Sequence, residues 1–460
     1  MNTLARNVAG AAAPLVELDA TEPDATGAGR LRRGAGGALV VQGAGLVGRY
    51  ASQVALARML GAGAFGSYIY ALNLSQLVAA PCDLGASSAA VRYVPEYTAT
   101  ADDELLAGFL RTLHVVPLAL SCAVAAIGAA LVVTLGAGPV DTHLALLALL
   151  VVPLSVVSSV YTSVTQGFHR IVWAYVPSLV LQPFILIAVA AAVFVAVGEF
   201  GSATAMVVTL ASFGAAVVVQ LVLVRQASAV VRHRRRRFAF RRWFSVSLPL
   251  LVTNLVDLVF QRVDVLMIGL MVDAKAAGIY AVAFRTATLA TIFQVAMTTA
   301  IAPRISELHW SGRRRELEEA LLAAVRLVLV PSVILTAILV GFGRQILGTF
   351  GHDFRAGWAA LAVYSVGQLI SVSCGPVGWF LNLTGGHRTA AWINSATALV
   401  AFVGYLVLIP PFGLVGAAAA NSSAIALNNV CQLVVVRRRY GFRISPWRAL
   451  VGSRRGDPGE

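Results

Sequence analysis

The chain has 460 residues, 58% of them hydrophobic and 12% charged, with a mean hydropathy of +0.80. Soluble globular domains carry about 25% charged residues. Half that share, with apolar runs recurring along nearly the whole length, excludes a soluble protein and implies an all-α polytopic membrane protein. The net charge is +14 and Lys275 is the only lysine, so the basic residues are almost wholly arginine, whose planar fork suits bidentate binding of phosphate.

In chain order, residues 1–34 are Ala/Gly-rich and mixed in charge, with no short apolar core before a cleavage site, and read as a loose tail. A transmembrane helix needs about 20 apolar residues. Six such spans are predicted at 36–58, 66–90, 109–135, 143–166, 172–197 and 203–224, making a first lobe of residues 35–226. A basic linker at 227–243 follows, containing VVRHRRRRFAFRRW at 230–243. Six more spans at 244–270, 278–302, 319–342, 357–382, 390–409 and 413–436 form a second lobe of residues 244–436, before a basic tail at 437–460. The prediction is therefore about twelve helices in two six-helix lobes.

The connections set the orientation. One side carries Arg30, Arg32, Arg33, Arg170, the Arg232 to Arg242 run, Arg304, Arg313 to Arg315, Arg388 and the basic tail. The other carries little beyond Lys275, Arg344 and Arg355. The positive-inside rule places both termini in the cytoplasm and the protein in the cytoplasmic membrane. Lying between two spans, the 230–243 run reads as a solvated topogenic loop, and no nucleic-acid partner is expected.

The halves resemble each other. ARMLGAGAFGSYIYAL at 57–72 matches GLMVDAKAAGIYAVAF at 269–284, aligning Gly66 and Tyr68 with Gly278 and Tyr280. Glu104 and Pro117 align with Glu318 and Pro331, and His169–Arg170 with His387–Arg388. Repeats of six helices keep the same orientation, which predicts two parallel bundles around a central cavity.

An arginine or aspartate at mid-bilayer costs about 2.5–3.5 kcal/mol on insertion scales, so it should face a partner or a wet cavity. Arg49 and Gln53 share one face of the first span. Asn254, Asp257, Gln261 and Asp264 form a stripe on the seventh, with Arg262 beside it, and the eighth adds Arg285. Arg49, Arg262 and Arg285 each lie about seven to nine residues from the same membrane surface, a common depth of roughly 10–14 Å. Arg49, Gln53, Asn254, Gln261, Arg262 and Arg285 are therefore candidate substrate-binding residues, with the arginines forming a cationic girdle for a phosphate or pyrophosphate. Asp257 and Asp264 either pair with these arginines or couple transport to a cation. Asp83 is a weaker instance of the second idea.

Other chemistry lacks its motifs. There is no GxxxxGK[ST] loop, HExxH, GxSxG or cysteine–histidine zinc spacing, so no metal, bound cofactor or catalytic residue is expected. A proton or sodium gradient is the candidate energy source. Asp102–Asp103 reads as a helix start.

Residues 54–97, VALARMLGAGAFGSYIYALNLSQLVAAPCDLGASSAAVRYVPEY, resemble the opening of polysaccharide-biosynthesis flippases of the multidrug/oligosaccharidyl-lipid/polysaccharide exporter superfamily. The likeness rests on the LAR-x-LG-x-x-x-FG-x-Y turn, the DLG and the R-Y-x-P-E-Y, with a second copy of the turn at 265–285. It implies MATE-like lobes around a cationic cavity and flipping of a polyprenyl-diphosphate-linked oligosaccharide to the outer leaflet. It also implies polysaccharide synthesis and polymerisation proteins as partners. Arg49 and Arg285 match basic cargo-binding positions of related lipid II flippases. Twelve spans, without the two extra helices usual in that branch, favour a Wzx-like oligosaccharide flippase. The competing readings are a multidrug antiporter of the same superfamily, whose cavities usually favour carboxylates, and a membrane polymerase or glycosyltransferase, which needs a larger outward loop.

Overall fold

The computed structural model describes residues 27–441, except 137, 232, 233 and positions scattered between 292 and 310. For residues 27–40 and a few helical positions elsewhere, Asp257 among them, the side chains lie outside the described residues. The expected tails at 1–26 and 442–460 lie outside them too.

The described chain is a succession of helices, in which glycine sets two of the sharpest corners. Gly27–Cys82 is broken at Gly61, whose φ of 70° and ψ of 170° are open to a residue without a Cβ. This gives α1 (27–60) and α2 (62–82). His387–Tyr440 is likewise divided at Gly413, with φ 55°. Between these come α3 (Ala86–Ala99), α4 (Asp103–Leu135), α5 (Thr142–Gly167), α6 (Ile171–Val197), α7 (Ser202–Ala227) and α8 (240–271). Then follow α9 (Ala274–Thr288), α10 (Arg314–Gly341), the short α11 (Gly343–Gly348), α12 (Trp358–Ser373) and α13 (Val377–Leu383), before α14 (387–412) and α15 (414–440).

Seven stretches among the described residues are long and apolar enough to cross a membrane, one of them being Arg388–Arg439, which Gly413 divides in two. Among the helices that fall short are α1, α2, α8 and α9. These four carry Arg49, Gln76, Arg262 and Arg285, and all of them line the central cavity described below. With these four, the described residues hold twelve candidate crossings, in keeping with an all-α polytopic membrane protein. Polar residues lower the apparent hydropathy of the helices that enclose water-accessible space.

At the face opposite the basic linker, the two six-helix halves meet closely. Phe350 and Phe354, in and beside the short helical turns after α10, are about 1% exposed. They pack edge-on against Tyr50 of α1 and Phe65 of α2, with ring centroids 5.3 and 5.7 Å apart. Arg58 donates its Nε–H to the Thr349 carbonyl at 2.6 Å. The connection at 343–356 is therefore a structured plug over the junction of the halves.

At the basic face the contact is polar. Asp102 caps α4 by accepting from the Leu105 amide at 3.1 Å, as expected of a helix start. It also pairs with Arg237, while Asp103 pairs with Arg234 at 3.2 Å and Glu96 with Arg242 at 2.6 Å. The arginine run is thus docked on the acids of α3 and α4. Each exposed pair contributes about 0–1 kcal/mol. The firmer attachment is Trp243, 3% exposed, which donates its indole N–H to the Tyr97 hydroxyl at 2.9 Å.

Candidate functional site

A cavity of about 700 Å³ lies mostly within the first half, walled by α1, α2, α5, α6 and α7, with Asn254, Leu258 and Arg262 of α8 and Arg285 of α9 closing its side toward the second half. Its lining reaches Gln166, next to the last residue of α5, and Tyr175 in the second turn of α6. Both helix ends lie on the basic face, so the cavity extends toward that face. The contacts of Tyr50, Arg58 and Phe65 seal the opposite end.

The structure brings Arg49, Gln53, Asn254, Arg262 and Arg285 together as lining residues. Neutral groups orient the guanidinium groups. Arg49 donates Nε–H to the Gly45 carbonyl at 3.4 Å, and Arg262 donates Nη1–H to Asn73 Oδ1 across the halves at 3.0 Å. Arg285 donates Nε–H to Gln53 Oε1 at 3.2 Å, the amide being oriented so that its oxygen faces the arginine. Neutral acceptors fix a guanidinium without cancelling its charge. Arg285 repels both Arg49 and Arg262, so the three charges act on the same space. Asp83 is the only carboxylate among the described residues that line the cavity.

Two candidate residues lie elsewhere than an even helical stripe would put them. The regular stripe expected along the seventh span breaks at Val259–Val263, one turn of π-helix. A π-turn holds one more residue than an α-turn and rotates everything beyond it. The cavity-facing positions of α8 become 254, 258 and 262, and Arg262 swings into the cavity. Gln261 is exposed but does not line the cavity. Asp264 is 0% exposed and turned into the second half, where its carboxylate accepts from the Tyr280 hydroxyl at 2.9 Å, the Asn421 amide at 3.0 Å and the Val265 N–H at 2.8 Å. It attracts Arg262 through space, but its hydrogen bonds go to neutral partners rather than to an arginine. Asp257 lies outside the described side chains.

The sequence reading did not include the hydroxyl-rich wall formed by Ser155, Ser158, Ser159, Thr162 and Ser163 of α5. Nor did it include Asn73, which anchors Arg262. A second π-helical turn, Val176–Leu181, which contains Pro177 and is followed by Pro183, accompanies Ser178 and Gln182 in the same lining. Prolines within spans are the sequence signal for that turn, because each lacks the N–H an α-helix needs.

The fold is that of transporters of the MOP superfamily. An inward-facing multidrug resistance MATE family transporter matches with a TM-score of 0.69 and 14% identity, over 88% of this chain and 98% of that one. Lipid II flippase MurJ in an inward closed conformation matches at 0.67 and 16%, over 90% and 94%. A MOP superfamily transporter from Pyrococcus furiosus, described as having a binding pocket of reverse polarity, matches at 0.59 and 16%, over 89% and 95%. The profile of the family described as "Polysaccharide biosynthesis protein" matches residues 35–309, and that of MatE matches residues 249–414. The chain belongs to the polysaccharide biosynthesis protein family. Among curated proteins, a probable low-salt glycan biosynthesis flippase, Agl15 of Haloferax volcanii, is 24% identical over 194 residues, 41% of this chain and 40% of that protein's length. The named relatives are flippases and transporters.

Proposed function

We propose that the protein flips a polyprenyl-diphosphate-linked oligosaccharide from the cytoplasmic to the outer leaflet of the cytoplasmic membrane, by alternating access, in cell-surface polysaccharide biosynthesis. Both termini are on the cytoplasmic side in this reading, because the basic linker and tail are retained there. The observation that carries it is the convergence of Arg49, Arg262 and Arg285 on one cavity whose remaining polar lining is hydroxyls and amides with the single described carboxylate Asp83. A diphosphate offers these forks bidentate, charge-assisted partners. A glycan offers the remaining wall hydroxyl partners. The flippases among the relatives point the same way.

The multidrug antiporter reading fits the fold but not the charge. A cationic drug would meet three guanidinium groups and one described carboxylate, and like charges at a binding surface cost several kcal/mol. The bilayer is the other standing partner, and enzymes that assemble and polymerise the glycan are the expected protein partners.

Transport in this reading is coupled to a proton or sodium gradient at Asp264. Asn421 Oδ1 and Tyr405 Oη are buried without partners, and the first belongs to a residue bonded to the carboxylate. The test of the cargo is deletion of the gene followed by analysis of lipid-linked sugars. Accumulation of a complete lipid-linked oligosaccharide facing the cytoplasm is expected. An incomplete one would move the protein to synthesis.

A further inference from the structure

The α5 wall of the cavity has an order that anion binding does not use. Ser155, Ser159, Thr162 and Gln166 are spaced by four, three and four residues, so they share one helical face, and all four line the cavity. Their neighbours polarise them. The Ser87 hydroxyl donates to Asp83 Oδ1 at 2.7 Å, so it accepts from the Ser159 hydroxyl at 2.8 Å. Ser159 then keeps its lone pairs for a donor in the cavity. Gln220, 1% exposed behind the wall, donates Nε2–H to Thr162 Oγ1 at 2.9 Å, which leaves the Thr162 proton for an acceptor in the cavity. Ser155 gives its proton to the Val152 carbonyl at 2.9 Å and presents lone pairs. Tyr175 donates to Gln166 Oε1 at 3.4 Å, leaving the Gln166 amide hydrogens.

Acceptor, acceptor, donor and donor therefore follow one another up α5. A sugar ring presents hydroxyls, each of which both donates and accepts. Asp83, at the break between α2 and α3, adds a carboxylate to the same lining. A carboxylate is acceptor-only, so, with the three guanidinium groups taken up by the diphosphate, it takes a sugar O–H or an acetamido N–H and repels a uronate set beside it.

We infer that Asp83, Ser159, Thr162 and Gln166 form a sugar subsite selective for neutral hexose or acetamidohexose units over acidic ones. This rests on the proposed cargo and assigns its glycan class. The test is binding to the purified full-length protein in lipid nanodiscs, followed by intrinsic tryptophan fluorescence. Three probes are used: bare polyprenyl diphosphate, the same lipid with a neutral disaccharide, and the same lipid with a disaccharide ending in a uronic acid. In the wild type the neutral disaccharide tightens binding over the bare lipid by about tenfold, the size of one or two net hydrogen bonds. The uronate probe gains nothing. In Ser159→Ala and in Gln166→Ala the gain shrinks to about threefold or less, and Ser159→Thr, which keeps the hydroxyl, retains it. Equal Kd for the bare and neutral-sugar probes in the wild type overturns the subsite, as does a full gain in both alanine variants. A wild type that binds none of the three lipids overturns the cargo reading and the subsite with it.

Discussion

Gly66 and Gly278, equivalent positions of the two sequence halves, lie backbone to backbone where the second and eighth crossings meet. A Cβ on Gly278 would stand 2.6 Å from the Gly66 Cα, closer than real Cβ atoms come. The sequence repeat is thus also a spatial one, because the matched turns approach each other at the sealed end of the cavity. Helices come this close only where side chains are absent. The repeat-related tyrosines show the same division of labour within the halves. Tyr68 shares a hydrogen bond with the Thr209 hydroxyl at 2.8 Å, and Tyr280 bonds Asp264 at 2.9 Å, each within its own half.

Gly278→Val should wedge this contact. Overpacking costs about 1–3 kcal/mol, which shifts the balance between sealed and open forms roughly five- to 150-fold. The readout is maleimide labelling of a single cysteine at Ser67, in a background lacking the native cysteines, with a reagent that does not cross membranes. Labelling should rise several-fold and transport should fall. Unchanged labelling would mean that the glycine pair does not hold the halves together.

The π-turn makes a separate prediction. Deleting Val263 returns α8 to an even α-helical pitch and rotates Arg262 by about 100° from the cavity, while Asp264 stays anchored. Binding of polyprenyl diphosphate should weaken about tenfold or more, as for loss of one charge-assisted contact, with helical content by circular dichroism unchanged. Wild-type affinity in the deletion would show that Arg262 does not need the turn.

Asp264 has a structural role and a proposed one, and two substitutions part them. Asp264→Ala leaves the Tyr280 hydroxyl and the Asn421 amide without their shared acceptor, costing about 2–4 kcal/mol in thermal unfolding. Asp264→Asn keeps the shape and loses the charge. It should retain a folded protein whose transport no longer responds to an imposed proton or sodium gradient. A response equal to the wild type would remove Asp264 from coupling and leave it a structural residue.

The order of helices was legible because bilayer thickness imposes its length on every crossing. Arg49, Gln53 and Arg285 were legible because α1 and α9 are regular near them, so spacing alone gave a face. The stripe of α8 was misread at Gln261 and Asp264 for the opposite reason: a π-turn changes the pitch, and nothing local in LVDLVFQRVD marks it. The hydroxyls of α5 passed unnoticed because serine and threonine cost little in a membrane. Many bond a carbonyl three or four residues back, as Ser155 does, and look like ordinary helix residues. The docking of Arg234, Arg237 and Arg242 depends on acids more than a hundred residues away, which only the fold brings near.

In the proposed function the arginine cluster carries a lipid diphosphate across the bilayer. The direct measurement uses proteoliposomes loaded with a fluorescent polyprenyl-diphosphate oligosaccharide and follows its loss to a membrane-impermeant quencher. The wild type should move the lipid well above the rate of protein-free vesicles. Arg49→Ala and Arg285→Ala, reconstituted in equal amounts, should each slow it by about thirtyfold or more, the cost of about 2 kcal/mol or more for a lost buried charge contact. Wild-type rates in both variants, or a wild type no faster than empty vesicles, would rule out diphosphate carriage by these arginines.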